Sequence, residues 1–255
     1  MRPIEREEMK ETINGLIDWI DRFYERFPGG LFALAGVIIG VATIAASIAL
    51  YVRVDPTFSI FTHYVSNLGG VPKGAPKGVN YLSATVFNVG MLLTVPIRLA
   101  FLVHIVRFVG RMGANRWLTL ASLATGLVST TGSLLVALVP FSTNLDLHLM
   151  GALVYFLGAT SFQLTFLVTE FRTPGLPRYL PVLGIASLLS FSVFSYLLIQ
   201  VEVFQVAGMA EPTIYEWVVF ATLMAWLLAH GLYTLKARGQ TLDQAERLLE
   251  KMLES

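Results

Sequence analysis

Four histidines, His63, His104, His148 and His230, are the side chains of this chain best suited to carry a proton or a metal ion near neutral pH. His63 lies in the stretch VDPTFSIFTHYVSNLGGVPKG, from Val54 to Gly74, and His148 lies in PFSTNLDLHLMG, two residues after Asp146. Two imidazoles and a carboxylate are chemically sufficient to bind a divalent cation or to act as an acid–base group, although no recognised metal-binding spacing joins them. Ser66, Asn67 and Asn88 add neutral hydrogen-bonding groups beside them. His104 and His230 stand near the opposite ends of apolar runs and read as interfacial polar residues. A two-haem arrangement would need paired histidines on spanning helices, and His63 lies outside every span. The chain has no cysteine, which excludes disulfides, thiolate metal sites and cysteine nucleophiles. These residues name no particular cofactor.

The elements that must position these groups are set by hydropathy. Of the 255 residues, 55% are hydrophobic and 14% charged, and the mean hydropathy is +0.67. A soluble domain carries about 25% charged residues, so lipid must replace water over much of this surface. Six apolar runs can each cross a hydrocarbon core: Leu31–Val52, Leu82–Val106, Trp117–Val139, Leu147–Val168, Tyr179–Val201 and Ile214–Leu235. Lys and Arg in the connections number 14 on one side and 3 (Arg53, Lys73, Lys77) on the other. The positive-inside rule then puts both termini in the cytoplasm, with His63 and His148 on the outer side of the plasma membrane. The first 28 residues carry Glu5, Glu7, Glu8, Glu11 and Asp18 before a run long enough to span, which is not the pattern of a cleavable signal peptide. A net charge of +1 with no basic–aromatic stripe gives no reason to expect nucleic acid as a partner.

The reading is therefore all-α: a six-helix membrane bundle over residues 31–235, flanked by cytoplasmic amphipathic segments at 1–30 and 236–255. Met9, Ile13, Leu16, Ile20 and Phe27 recur at helical spacing before Pro28-Gly29-Gly30. In the tail, Thr241 and Gln244 form a capping-box pair ahead of an apolar stripe. Both segments suit the inner leaflet, a protein partner or self-association. Asp55-Pro56 signals a helix start and Gly69-Gly70 a stop, predicting a short helix across the outer mouth of the bundle. Its polar side would hold His63, Ser66 and Asn67 towards His148. Asp146 reads either as the N-cap of the fourth span or as a third member of that site. Ser122, Gly126, Ser129 and Ser133 line one face of the third span, where small residues let helices approach closely and where Asn88 is expected to meet them. Arg98 lies close enough to the cytoplasmic end to snorkel there. No acidic group is expected at mid-membrane, which argues against a proton-coupled pump or antiporter.

THYVSNLGG, with VFNVGMLL in the second span and DLHLMGALVYFLGA in the fourth, resembles the domain of unknown function 998 family of six-span membrane proteins of archaea and bacteria. The matching positions are Ser66, Leu68, Gly69, Phe87, Asn88 and His148, while Asn67 replaces the acidic residue usual in that family. The same plan is similar to the autophagy-modulator and FGF-receptor-activating-protein-like membrane family, whose members are linked to lipid remodelling or membrane trafficking. Both resemblances imply a six-span architecture, and neither carries a settled reaction.

The function these observations favour is the binding of a lipid or small amphiphile at an outer-leaflet polar site made by His63, Ser66, Asn67, Asn88, Asp146 and His148, with membrane lipids as partners. The alternatives are a membrane-embedded lipid hydrolase or transferase using His63, Asp146 and His148, and a channel through the Ser/Thr-rich centre.

Overall fold

The computed structural model describes residues 3–72, 75–76, 81–206 and 212–253, with side chains described for 11–12, 14–72, 75–76, 81–206 and 212–239. Seven α-helices account for nearly all of it: α1 Pro3–Arg26, α2 Gly29–Tyr51, α3 Leu82–Arg111, α4 Arg116–Leu138, α5 Leu145–Arg172, α6 Tyr179–Leu198 and α7 Thr213–Leu253. Six of these, α2 to α7, are long and apolar enough to cross a membrane. A 3₁₀ turn, Val65–Gly69, and a π-helical turn, Ile199–Val203, complete the regular structure of the described residues.

Pro28 separates α1 from α2, as its place in the sequence suggests, but Gly29 and Gly30 are the first turn of α2 rather than loop. A side chain at Gly29 would enter the His104 ring, and one at Gly30 would come within 2.5 Å of the Gly231 carbonyl. These glycines are packing positions. The end of α1 folds back on the bundle. The Tyr24 hydroxyl donates to the Ala100 carbonyl at 2.6 Å, Asp21 accepts from Arg107 and Arg111, and Arg238 donates to the Tyr24 and Glu25 carbonyls. The expected second amphipathic helix in the tail is instead the unbroken continuation of α7 to Leu253. The side chains of its proposed apolar stripe, and those of Met9 and Ile13, lie outside the described residues.

Each spanning helix packs on the next in the chain, and α7 closes against α2. The six spans therefore form a ring. The tightest pair is α4–α5, where a side chain at Gly132 would lie 2.2 Å from the Tyr155 amide nitrogen and one at Gly158 would lie 2.6 Å from that of Ser129. Small residues permit this contact because no side chain stands between the backbones. Ser122, Ser129 and Ser133 of α4 are all buried, as the helical spacing of the stripe predicts.

The ring is filled unevenly. At the end bearing the termini, Phe101, Ile105, Phe166, Trp226 and Leu227 pack into a solid core. At the far end, smaller clusters around Phe156, Phe191 and Phe194, and around Tyr51, Val65, Leu68 and Phe87, leave space between them.

Candidate functional site

That space is a cavity of about 410 Å³ at the far end of the ring, to which all six spans contribute. Its walls are largely apolar and aromatic, with Phe87, Phe156, Phe194, Val219, Phe220 and Leu223 among them. The polar side chains on its wall include Ser66, Asn67, His63, His148, Glu202 and Glu216, beside the hydroxyl-bearing Tyr51, Thr62, Tyr64, Ser133 and Tyr155.

The lid over this space is not the helix the sequence signals. Asp55 does not cap a helix. Its Oδ1 accepts from the Thr57 amide at 3.0 Å and the Thr57 hydroxyl at 2.5 Å, closing a tight local turn in place of a helical first turn. Residues 55–63 then run as successive turns, and regular structure begins only at Val65. The chain is compact there because His63 is its centre. This imidazole is 4% exposed, its Nε2 lies 3.2 Å from Asp55 Oδ2, and its Nδ1 lies 2.9 Å from the Thr62 hydroxyl. The Ser59 amide also points to Nδ1, which marks that nitrogen as an acceptor and Nε2 as the donor to Asp55. The indole of Trp217 in α7 donates to the His63 carbonyl at 2.9 Å, and Thr213 donates to that of Phe61. His63 therefore borders the cavity with both ring nitrogens already engaged by its own loop.

Asn67 likewise serves its own turn, its Oδ1 accepting from the Tyr64 amide at 2.6 Å. Asn88 is directed at the lid and not at the serine stripe. Its Nδ2 donates to the Gly69 carbonyl at 2.9 Å, fastening the turn to α3. The expected meeting of Asn88 with Ser122–Ser133 does not occur.

His148 differs. It is 6% exposed, and its Nδ1 lies 2.7 Å from the Val139 carbonyl. A carbonyl can only accept, so Nδ1 carries the proton and Nε2 keeps a lone pair. Among the described residues no hydrogen-bond partner is seen for that second nitrogen, and the residue lines the cavity. Asp146, two positions earlier, is exposed and takes no part in the cavity wall. It is not the N-cap either: Asn144 is, accepting from the Leu147 amide at 3.0 Å. Two residues along a helix are about 200° apart, so His148 facing inward forces Asp146 outward. The trio His63, Asp146 and His148 is thus not assembled, and among the described residues no three His, Asp or Glu side chains gather as metal ligands.

Two carboxylates take the place left by Asp146. Glu216 stands in the first turn of α7, and its Oε2 accepts from the Ser66 amide at 3.4 Å. Glu202 belongs to the π-helical turn that ends the fifth span, where one extra residue in the turn shifts the register of the side chains. A sequence signal for both existed in their position at the rims of spans, where acidic residues are few.

Below the cavity, Tyr155 forms part of the floor, with the Arg98 guanidinium 4.9 Å from its ring centroid. Arg98 does not snorkel to the cytoplasmic end. It turns into the bundle, where it donates to the Ser129 carbonyl at 3.3 Å and lines a second, smaller space of about 50 Å³. Deeper still, near the end of α5, a buried acid meets a buried histidine. Glu170 and His230 are 2% and 1% exposed, with His230 Nε2 2.6 Å from Glu170 Oε1 and Nδ1 2.7 Å from the Trp226 carbonyl. His230 is thus a core residue tying α7 to α5 across the ring.

A closed ring of six spans, solid at one end and hollow beneath a folded lid at the other, defines a polytopic helical membrane protein with an internal cavity. Residues 28–235, the ring itself, match the family model described as the Frag1/DRAM/Sfk1/Cwh43P N-terminal domain, and the chain belongs to that family. This agrees with the second of the two sequence resemblances. The first, to the domain of unknown function 998 family, is not confirmed, and the archaeal or bacterial origin it implied is not supported. Comparison with curated proteins and with solved structures gives no match.

Proposed function

We propose that this protein binds a membrane lipid or small amphiphile in the cavity at the far end of the ring, and that this end faces the outer leaflet of the plasma membrane. The observation that carries the reading is the cavity itself. About 410 Å³ lies within the range of small-molecule sites, and largely apolar walls with a few converging polar groups suit a ligand that is part hydrocarbon and part headgroup. The orientation rests on the excess of Lys and Arg in the connections at the other end.

A hydrolase or transferase has less support, because Asp146 lies outside the cavity and the His63 nitrogens are held by Asp55, Ser59 and Thr62. A channel also has less support, because Tyr155 and Arg98 stand between the upper and lower spaces.

Native mass spectrometry of the protein released from lipid nanodiscs tests the binding reading. The expected result is a retained amphiphile that is lost in Ala152→Phe, which places a ring in the cavity wall. A wild-type protein that leaves every lipid behind, whatever the nanodisc composition, would refute it.

A further inference from the structure

We propose that the smaller space beneath Tyr155 is a water-binding chamber, in which bound water joins the Arg98 guanidinium to the Gln163 side chain. The chamber is separate from the cavity of the amphiphile reading, from which Tyr155 and Leu223 divide it. Charge is the first support. Arg98 lies on the inward stripe of α3, between Met91, which borders the upper cavity, and Phe101 and Ile105, which border the lower space. Its guanidinium is always charged and carries five N–H donors. One of them meets the Ser129 carbonyl at 3.3 Å, and the group lies against the Tyr155 ring. No Asp or Glu lines the lower space, and among the described residues none forms a salt bridge with Arg98. A charge inside a spanning bundle is held by carbonyls, an opposite charge or water. A single carbonyl leaves most of these donors to spare.

The second support is Gln163. Its side chain borders the same space from α5 and is 2% exposed, yet its Oε1 has no hydrogen-bond partner among the described residues. A buried amide oxygen left unpaired is costly, and such groups are satisfied by protein or by ordered water. Thr130, also on the wall, cannot serve it, because its hydroxyl proton goes to the Gly126 carbonyl. Spare donors on one side and an unpaired acceptor on the other call for a group that both accepts and donates.

The third support is size. The space measures about 50 Å³, and one water needs about 10–15 Å³ of such volume, so a few waters fit and a lipid headgroup does not. An anion would satisfy Arg98 but face the Gln163 oxygen. A metal ion would satisfy that oxygen but face the guanidinium. Water satisfies both, accepting from Arg98 and donating to Gln163.

X-ray hydroxyl-radical labelling of the full chain in maltoside micelles tests this, because bound water generates the radical in place. Phe101 and Phe166 are a matched pair: they are 2% and 1% exposed and share one core, but only Phe101 lines the chamber. The expected result is modification of Phe101 about tenfold faster than of Phe166 in a dose series read by mass spectrometry, since only internal water can deliver a radical to it. In Gln163→Leu, which removes the acceptor, that ratio should fall towards one, with thermal unfolding in the same detergent showing that the variant is folded. If Gln163→Leu does not fold, the wild-type ratio alone decides. Equal labelling of the two rings in the wild type, or an unchanged ratio in folded Gln163→Leu, overturns the inference. An unfolding temperature that rises with chloride but not gluconate, and loses that dependence in Arg98→Gln, would put an anion in the chamber and overturn the assignment to water.

Discussion

Asp55 and His63 show how a residue's chemistry can be read correctly and its role misread. Asp before Pro is a good helix start, and His beside Ser and Asn is a good site, yet the two side chains find each other at 3.2 Å and build a lid core instead. Neither residue's neighbours in sequence reveal a partner eight positions away once helix is assumed. The arrangement has a pH consequence. The Thr57 hydroxyl, aided by the Thr57 amide and His63, holds the Asp55 carboxyl below its usual range. A depressed carboxyl contributes stability that is fully present above the unfolded value, about pH 4, and lost as pH falls through the folded value. In a variant with Trp19, Trp117 and Trp226 replaced by Phe, the remaining Trp217, which bonds to the His63 carbonyl, should keep a constant indole emission from neutral pH to about pH 5 and shift red below about pH 4. Asp55→Asn should flatten that acid response. An unchanged response in the variant would show that Asp55 does not hold the lid.

At the scale of elements, the sequence was most legible where lipid imposes a rule. The six spans emerge where hydropathy places them, because a backbone in hydrocarbon must be helical. Ser129 and its stripe are buried because small residues at helical spacing have no other reason to line up. Ser129→Leu is expected to destabilise the protein by about 1–3 kcal/mol through overpacking, since Gly158 already brings α5 against the Ser129 backbone. Val128→Leu, half-exposed one position earlier, should change little. Equal thermal unfolding of the two variants in detergent would contradict the packing. What could not be read was direction within an element. Arg98 is one helical position among many, and whether it reaches for water or for Tyr155 depends on a ring from a different span. Glu202 and Glu216 were passed over for a related reason. Acidic residues at span rims read as interfacial until the π-helical turn and the first turn of α7 bring them to one space.

For the whole molecule, the division into a solid half and a hollow half puts the cavity at one end of the ring only. The orientation proposed here makes a sharp prediction because the native chain has no cysteine. A Cys placed at Phe61, 71% exposed on the lid, should react with an impermeant thiol reagent on intact cells, and one at Met112 should react only after permeabilisation. The reverse pattern would place the cavity on the cytoplasmic side and exchange the leaflet from which a ligand enters. The Glu170–His230 contact belongs to this scale too. It bridges two helices that do not neighbour each other in the ring and so closes the solid half across its centre.

The seam between α2 and α7 bears on how such a molecule is made. The spans are synthesised in order, and each from the second onward can pack on its predecessor as soon as it enters the bilayer. Gly30 and Ala33 of α2 must wait for Gly231, the partner that arrives last. Until then the bundle is an open arc. Glu216, Val219 and Phe220 are absent from the space between the helices, and the lid lacks the Trp217 and Thr213 bonds that hold it down. The cavity is thus not inherited from any pair of helices. It comes into being in one late step of membrane insertion, so a nascent chain released before its sixth span carries neither a chamber nor a cover.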